Sequence, residues 1–304
     1  MVDATLTPPR RRGLSLASFL DGGGFWPAVP AVLYLAVFMV APIVTLLAFG
    51  FVTIDRGAIG EEGFTLAHMA GVLSDPLVWR LMWRSFWIAV VSTTLTLVFA
   101  YPVAYAYGHL KGIARTLLLV AIISPLLTSA LVRTYAWIVV LGGRRGLLNQ
   151  TLLSLGIVDQ PLQLLNTSTA VVIGMTQIHL PFMILPLLAV LSERDRRFEE
   201  ASLNLGASEV STFFRVVVPM SMPAIVAGFA LVFAVSYTNF IIPQLLGGGN
   251  YSTLAVQVYE QTIVVLDWSR GAALATLLLS TCFVLVFAIV AMGNRLTRWN
   301  EVRR

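Results

Sequence analysis

Glu200-Ala201-Ser202-Leu203-Asn204-Leu205-Gly206, with Pro219 thirteen residues beyond Gly206, is a polar, helix-forming stretch between two long apolar runs. The segment 192–223 around it reads as two short helices. Ser192 or Asp195 can cap the first, on which Phe198, Ala201 and Leu205 fall at i, i+3 and i+7 as one apolar stripe. Glu199, Glu200 and Asn204 lie on other faces. Gly206 is placed to end that helix in the left-handed conformation. Ser208 can cap a second helix with Val210, Phe213 and Phe214 as its apolar side, and Pro219 and Pro223 then redirect the chain. Two uses fit such a pair. It is a loop packed on its own bundle, or a knob that presents an apolar ridge and a carboxylate to a partner.

The surroundings of this stretch are built for lipid. Of 304 residues, 58% are hydrophobic and 12% charged, with a mean hydropathy of +0.84. Soluble domains carry about 25% charged residues, so half of the usual polar surface is missing. The fold class expected is an all-α membrane protein, because backbone polar groups in a bilayer must bond within their own helix. The net charge of +5 does not imply nucleic acid: the basic residues cluster beside apolar spans, with no basic stripe of interleaved aromatics. The single cysteine, Cys282, lies inside an apolar run and reads as buried packing. His68, His109 and His179 lack metal-ligand spacing, so no metal site is expected. Lys111 is the sole lysine, and no Gly-x-x-x-x-Gly-Lys loop precedes it, which excludes a Walker A site in this chain. Gly247-Gly248-Gly249-Asn250 reads as a turn. No catalytic residue is nominated, and an enzyme is not expected.

Six apolar stretches are long enough to cross a bilayer, near 25–51, 85–107, 116–141, 167–191, 222–244 and 270–293. The first is too long for a signal-peptide core and reads as a retained span. Pro42, Pro102, Pro125, Pro181, Pro186 and Pro243 interrupt these runs, which favours a bundle whose neighbours satisfy the freed groups. Loop charge then sets the orientation. With the tail 1–24 inside, the inside segments 1–24, 108–115, 192–221 and 294–304 hold thirteen of the twenty Lys and Arg residues, among them Arg10, Arg11, Arg12, Arg196, Arg303 and Arg304. Both termini are therefore expected in the cytoplasm. In the outside segment 52–84, Trp79, Leu81, Met82 and Trp83 beside Arg80 and Arg84 predict an amphipathic helix at the interface. Arg133 falls near the outer end of the third span, where it snorkels or lines a pathway. The helix there tilts onward, or a second short segment follows.

Polar residues within and after the fifth span are Ser236, Tyr237, Thr238, Asn239 and Gln244. They line a cavity or bond between helices. Tyr259, Glu260 and Asp267 are candidates to attract a cation at the outer mouth, with Asp267 also a candidate N-cap of the last helix. Trp137 and Trp268 sit where aromatic belts are expected. The substrate-pathway candidates are thus Tyr237, Asn239, Gln244, Tyr259, Glu260, Asp267, Arg133 and Trp137. The spans hold almost no ionisable residues, which disfavours coupling to an ion gradient.

Residues 200–219 resemble the EAA loop of ABC importer permeases, whose pattern is Glu-Ala-Ala, three residues, Gly, nine residues, Ile-x-Leu-Pro. The chain has Glu200-Ala201-Ser202, then Gly206, then Val216-Val217-Val218-Pro219, with Ser202, Val216 and Val218 departing conservatively. The run Leu126, Thr128, Ser129 and Leu131 to Trp137 resembles the third-span region of spermidine/putrescine-type permeases. So do Pro243-Gln244-Leu245-Leu246-Gly247-Gly248 and Asp267-Trp268. The resemblance implies a type I ABC importer permease fold: a tail 1–24, a six-helix domain 25–293 with its coupling loop at 192–223, and a tail 294–304. It gives Glu200, Ala201, Ser202, Gly206 and Pro219 an ATPase-coupling role. It implies a multi-pass protein of the bacterial inner membrane, partnered by two ABC ATPase subunits, a second homologous permease and a periplasmic solute-binding protein. ATP and Mg would sit on the ATPases, with no cofactor on this chain. The implied solute is a polyamine, with an opine or phosphonate as alternatives. A secondary transporter or channel without an ATPase is the alternative of another class.

Overall fold

The computed structural model describes residues 29–55, 58–195, 197–249 and 251–302, with side chains outside 54–63 and 296–302. The tail 1–24 with Arg10, Arg11 and Arg12, the start of the first span at 25–28, and Arg196, Asn250, Arg303 and Arg304 lie outside the described residues. The chain divides into two units, Met1–Ala48 and Phe49–Arg304. Residues 29–48 of helix α1 (Val29–Phe49) make up the described part of the first. Pro42 sits inside it, and Thr45 Oγ1 donates to Ala41 O at 2.8 Å.

The second unit opens with a feature the apolar pattern conceals. Strands β1 (Val52–Asp55) and β2 (Ala58–Phe64) pair antiparallel, Val52 with Phe64 and Asp55 with Ala58. Ser269 Oγ donates to Val52 O at 3.0 Å and ties the hairpin to the last helix. Helix α2 (Ala67–Ser74) follows, and then the 34-residue α3 (Pro76–His109). Asp75 caps α3 through Leu77 N at 2.9 Å, and Pro76 supplies the favoured first-turn proline. The expected interfacial helix at 79–84 is therefore corrected: Trp79 to Arg84 form the first turns of α3 itself. The cap and the proline start the helix nine residues before the apolar run does.

The third run is broken. Helix α4 (Gly112–Ile123) continues through a 3-10 turn at Ser124–Leu127 and meets α5 (Ala130–Leu141) at 97°. Thr128 Oγ1 donates to Pro125 O at 2.8 Å and closes the bend. Of the two readings left open by the sequence, the second short segment is the observed one. Helix α6 (Leu147–Ser154) leads to α7 (Ser168–Glu193), which Thr167 caps. Beyond α7 come the short helices α8 (Arg197–Asn204) and α9 (Glu209–Thr212). A π-turn at Phe213–Val217 and one turn at Val218–Met220 then meet α10 (Met222–Thr238) at 67°. The fifth run ends early, because Asn239 leaves the helix and starts α11 (Ile241–Leu246) through its Oδ1 on Ile242 N at 3.0 Å. Helix α12 (Leu254–Tyr259), a π-turn at Glu260–Val265 and the long α13 (Trp268–Val302) complete the chain. The last helix runs past residue 293, where a separate tail was expected.

Helices α3, α7, α10 and α13 form the core. Toward the α8–α9 end, Ala100, Tyr101, Ala104, Met183, Leu187, Leu191, Ala224 and Val232 interlock. At the other end Ile88, Leu141, Val171, Met175, Ile178, Ile242 and Leu246 do so. Lipid offers no hydrophobic drive between helices, so close backbone approach and interhelical hydrogen bonds hold them. Gly228 of α10 admits Met183 so closely that a Cβ there would meet its Sδ at 2.8 Å. The outward faces keep large apolar residues exposed, Val98 and Phe99 on α3 and Phe283, Val284 and Phe287 on α13. A bilayer is the solvent that suits them.

Candidate functional site

The α8–α9 pair is assembled by local chemistry. Asp195 Oδ1 accepts from Arg197 N at 3.0 Å and starts α8. Gly206 ends it at φ +87°, with Gly206 N on Leu203 O and Ala207 N on Ser202 O closing the last turn. Ser208 Oγ accepts from Ser211 N and starts α9. Ser202, where the resembled pattern has alanine, shares a hydrogen bond with Thr212 Oγ1 at 2.9 Å and clamps the two helices together.

Outward, Phe198 (50%), Leu205 (88%), Val210 (68%) and Phe214 (63%) remain exposed, as does the carboxylate of Glu200. The expected apolar side of the second helix is split. Phe213 turns inward and meets Tyr101 at 5.4 Å and Tyr105 at 5.3 Å, both edge-on. The π-turn that contains Phe213 and ends just before Pro219 moves neighbouring side chains onto different faces. Tyr101 OH of α3 lies 2.8 Å from the Oγ of Ser221, the residue at the 67° bend. Ser221 Oγ donates to Val218 O, so the tyrosine hydroxyl donates to the serine. The sequence placed Glu199 only off the apolar stripe and gave it no role; its carboxylate lies 2.7 Å from Arg194 Nη2 and 3.9 Å from His109 Nε2. Only its place one turn from Arg194 and beside Glu200 could have signalled it.

The eight pathway candidates do not converge. Arg133 Nη1 donates to Ile178 O of α7 at 3.5 Å, one residue from the Gln177 carbonyl that Pro181 cannot serve. One turn on, Trp137 Nε1 donates to Gln177 Oε1 at 3.2 Å. Tyr237 is buried, its hydroxyl 3.0 Å from Thr281 Oγ1, while Ser236 Oγ meets His179 Nδ1 at 2.9 Å. For these two the interhelical reading fits the geometry. Asn239 starts α11, on which Gln244 lies partly buried. Tyr259 stacks on Phe240 at 5.1 Å, next to a partly buried Glu260. Asp267 Oδ1 accepts from Arg270 N at 2.9 Å and thus caps α13. An apolar cavity of ≈ 530 Å³ opens between α3, α10 and α13, lined by Trp79, Trp83, Phe86, Thr281 and Leu285 among others. Tyr237 is the only one of the eight on its wall.

A family model described as "Binding-protein-dependent transport system inner membrane component" matches residues 13–298. The chain is 35% identical to the "Spermidine/putrescine transport system permease protein PotB" of Salmonella typhimurium (strain SL1344), covering 79% of this chain and 83% of that one. It is 32% identical to the protein of the same name from Haemophilus influenzae, over 88% and 93%. Its fold matches a solved "bacterial alginate ABC transporter in complex with alginate pentasaccharide-bound periplasmic protein". The TM-score is 0.71 at 14% identity, over 92% of this chain and 97% of that one.

Proposed function

The chain belongs to the family of binding-protein-dependent transport system inner membrane components, and on that premise we propose that it is the permease subunit of an ATP-driven importer for a polyamine of the spermidine or putrescine kind. It is a multi-pass bacterial inner membrane protein. In this reading a periplasmic binding protein delivers the solute, a second permease completes the pathway, and two ATPase subunits supply the work. Closure of the ATPases on ATP moves the α8–α9 pair, and the bundle alternates between its two openings.

The observation that carries the reading is the pair itself. It is rigidly built, through Gly206 and the Ser202–Thr212 clamp, yet leaves Phe198, Leu205, Val210 and Phe214 uncovered beside Glu200. Exposed apolar side chains around a carboxylate suit a groove on another subunit. The similarity to permeases named for spermidine and putrescine supports the solute class. The test is uptake of labelled spermidine by cells that express the full set of subunits and have no other polyamine importer. Glu200→Lys and Gly206→Pro are expected to abolish uptake while the chain still inserts. Wild-type uptake by either variant at equal expression overturns the coupling role.

A solute that carries an acid group beside its amine is the second reading. Arg133 favours it, since this guanidinium forms no ion pair among the described residues and its Nε is buried without a hydrogen-bond partner. Competition of spermidine uptake by an excess of an opine or an aminophosphonate separates the two.

A further inference from the structure

The Glu199 carboxylate touches more of the bundle than its exposed neighbour Glu200 does. Its partner Arg194 lies just past the end of α7, with its side chain 5% exposed against 14% for Glu199. The same guanidinium sits over the Tyr105 ring at 4.9 Å. That ring packs on His109 at 4.4 Å, and His109 Nδ1 donates to Tyr105 O at 2.9 Å. His109 is the last residue of α3, and its Nε2 faces Glu199. One carboxylate on α8 thus meets the ends of two core helices. Phe213, the residue after α9, packs on Tyr105 in the same stretch of α3, and the Ser202–Thr212 hydrogen bond ties α8 to α9.

The joint is incompletely satisfied. Arg194 Nε and Nη1 and Glu199 Oε1 are buried without an aligned hydrogen bond, so the 2.7 Å contact is a charge contact off the donor axis. Buried donors left over in this way are costly, and an arrangement that can re-pair them has somewhere to go. We propose that the Glu199–Arg194 pair, seated on Tyr105 and His109, is the positioning joint through which displacement of α8 reaches α3 and α7. It rests on the reading of α8–α9 as the contact with an ATPase and adds the link on the permease side. Glu200 and the apolar ridge meet the partner; Glu199 passes the movement inward.

The test uses the complete transporter in proteoliposomes, with spermidine taken up and ATP hydrolysed measured on the same sample. Glu199→Gln and Arg194→Gln should each lower the uptake per ATP by about fivefold or more, the low end for a coupling between sites. The exchanged pair Glu199→Arg with Arg194→Glu should recover at least half of it, which loss of stability would not predict. Hydrogen exchange on the purified chain gives an arm independent of any ATPase. Glu199→Gln should speed exchange in 197–204 and leave 130–141 as it was. Unchanged uptake per ATP in Glu199→Gln, or unchanged exchange in 197–204, overturns the joint. A wild-type assembly without ATP-dependent uptake overturns the importer reading instead, and the exchange arm still decides whether the joint exists.

Discussion

Gly206 holds a φ of +87° with no atom near enough to hinder a Cβ, so conformation alone requires glycine there. A left-handed residue that carries a Cβ costs about 1–2 kcal/mol. Gly206→Ala is therefore expected to loosen the α8–α9 turn and lower uptake, with less effect than Gly206→Pro. Equal uptake by the alanine variant and wild type would show that the turn need not be rigid. Phe213 makes the opposite kind of contribution, by packing. Large-to-small changes at buried aromatic positions cost about 3–5 kcal/mol, and Phe213 is partly buried, so Phe213→Ala belongs near or below that range. Thermal unfolding in detergent should show the loss, whereas the exposed Phe214→Ala should unfold like wild type and fail in uptake. The sequence put both phenylalanines on the apolar side of the second helix, which in the structure ends at Thr212. It could not show that a π-turn sends one inward and the other out.

Proline and polar residues set the elements more than the apolar runs do. Asp75 and Pro76 start α3 nine residues ahead of its apolar run, and Thr128 closes the 97° break before α5. Hydropathy averages over such signals, which is why the runs were legible and the interfacial helix at 79–84 was not one. At the 67° bend into α10, Ser221 is hydrogen-bonded to Tyr101 of α3. Interhelical hydrogen bonds in membranes average about 0.6 kcal/mol and reach about 1.7. A double-mutant cycle of Tyr101→Phe and Ser221→Ala, read from unfolding in mixed micelles, is expected to give a coupling within that span. A coupling of zero would mean that the bend is held by Pro219 and packing alone.

At the scale of the molecule, the α8–α9 knob and the α6 region must face opposite sides of the membrane. Helix α7 separates them with 26 residues, or roughly 39 Å of helix, enough for one crossing. Leu155 (66%) and Leu205 (88%) are exposed, and the natural Cys282 is buried. Leu155→Cys and Leu205→Cys should thus label with a membrane-impermeant maleimide from opposite faces, Leu155→Cys in intact spheroplasts and Leu205→Cys only after lysis. Labelling of both from one side would break the six-span plan and the placement of the knob with it.

The amino-acid order by itself determined that the chain lives in lipid, where its apolar helices run, and that a capped, glycine-ended polar pair sits between two of them. Each of these is a local property: hydropathy, helix periodicity and capping act within a few residues of one another. Only the tertiary structure decided what each polar side chain is for. Asp267 caps a helix, Ser236 and Tyr237 bond across the bundle, and Glu199 joins α8 to the ends of α3 and α7. Those assignments depend on partners that stand 44 residues away for Tyr237 and 57 for Ser236. A hydrogen bond of under 3.5 Å is fixed by how helices pack, which no local pattern encodes.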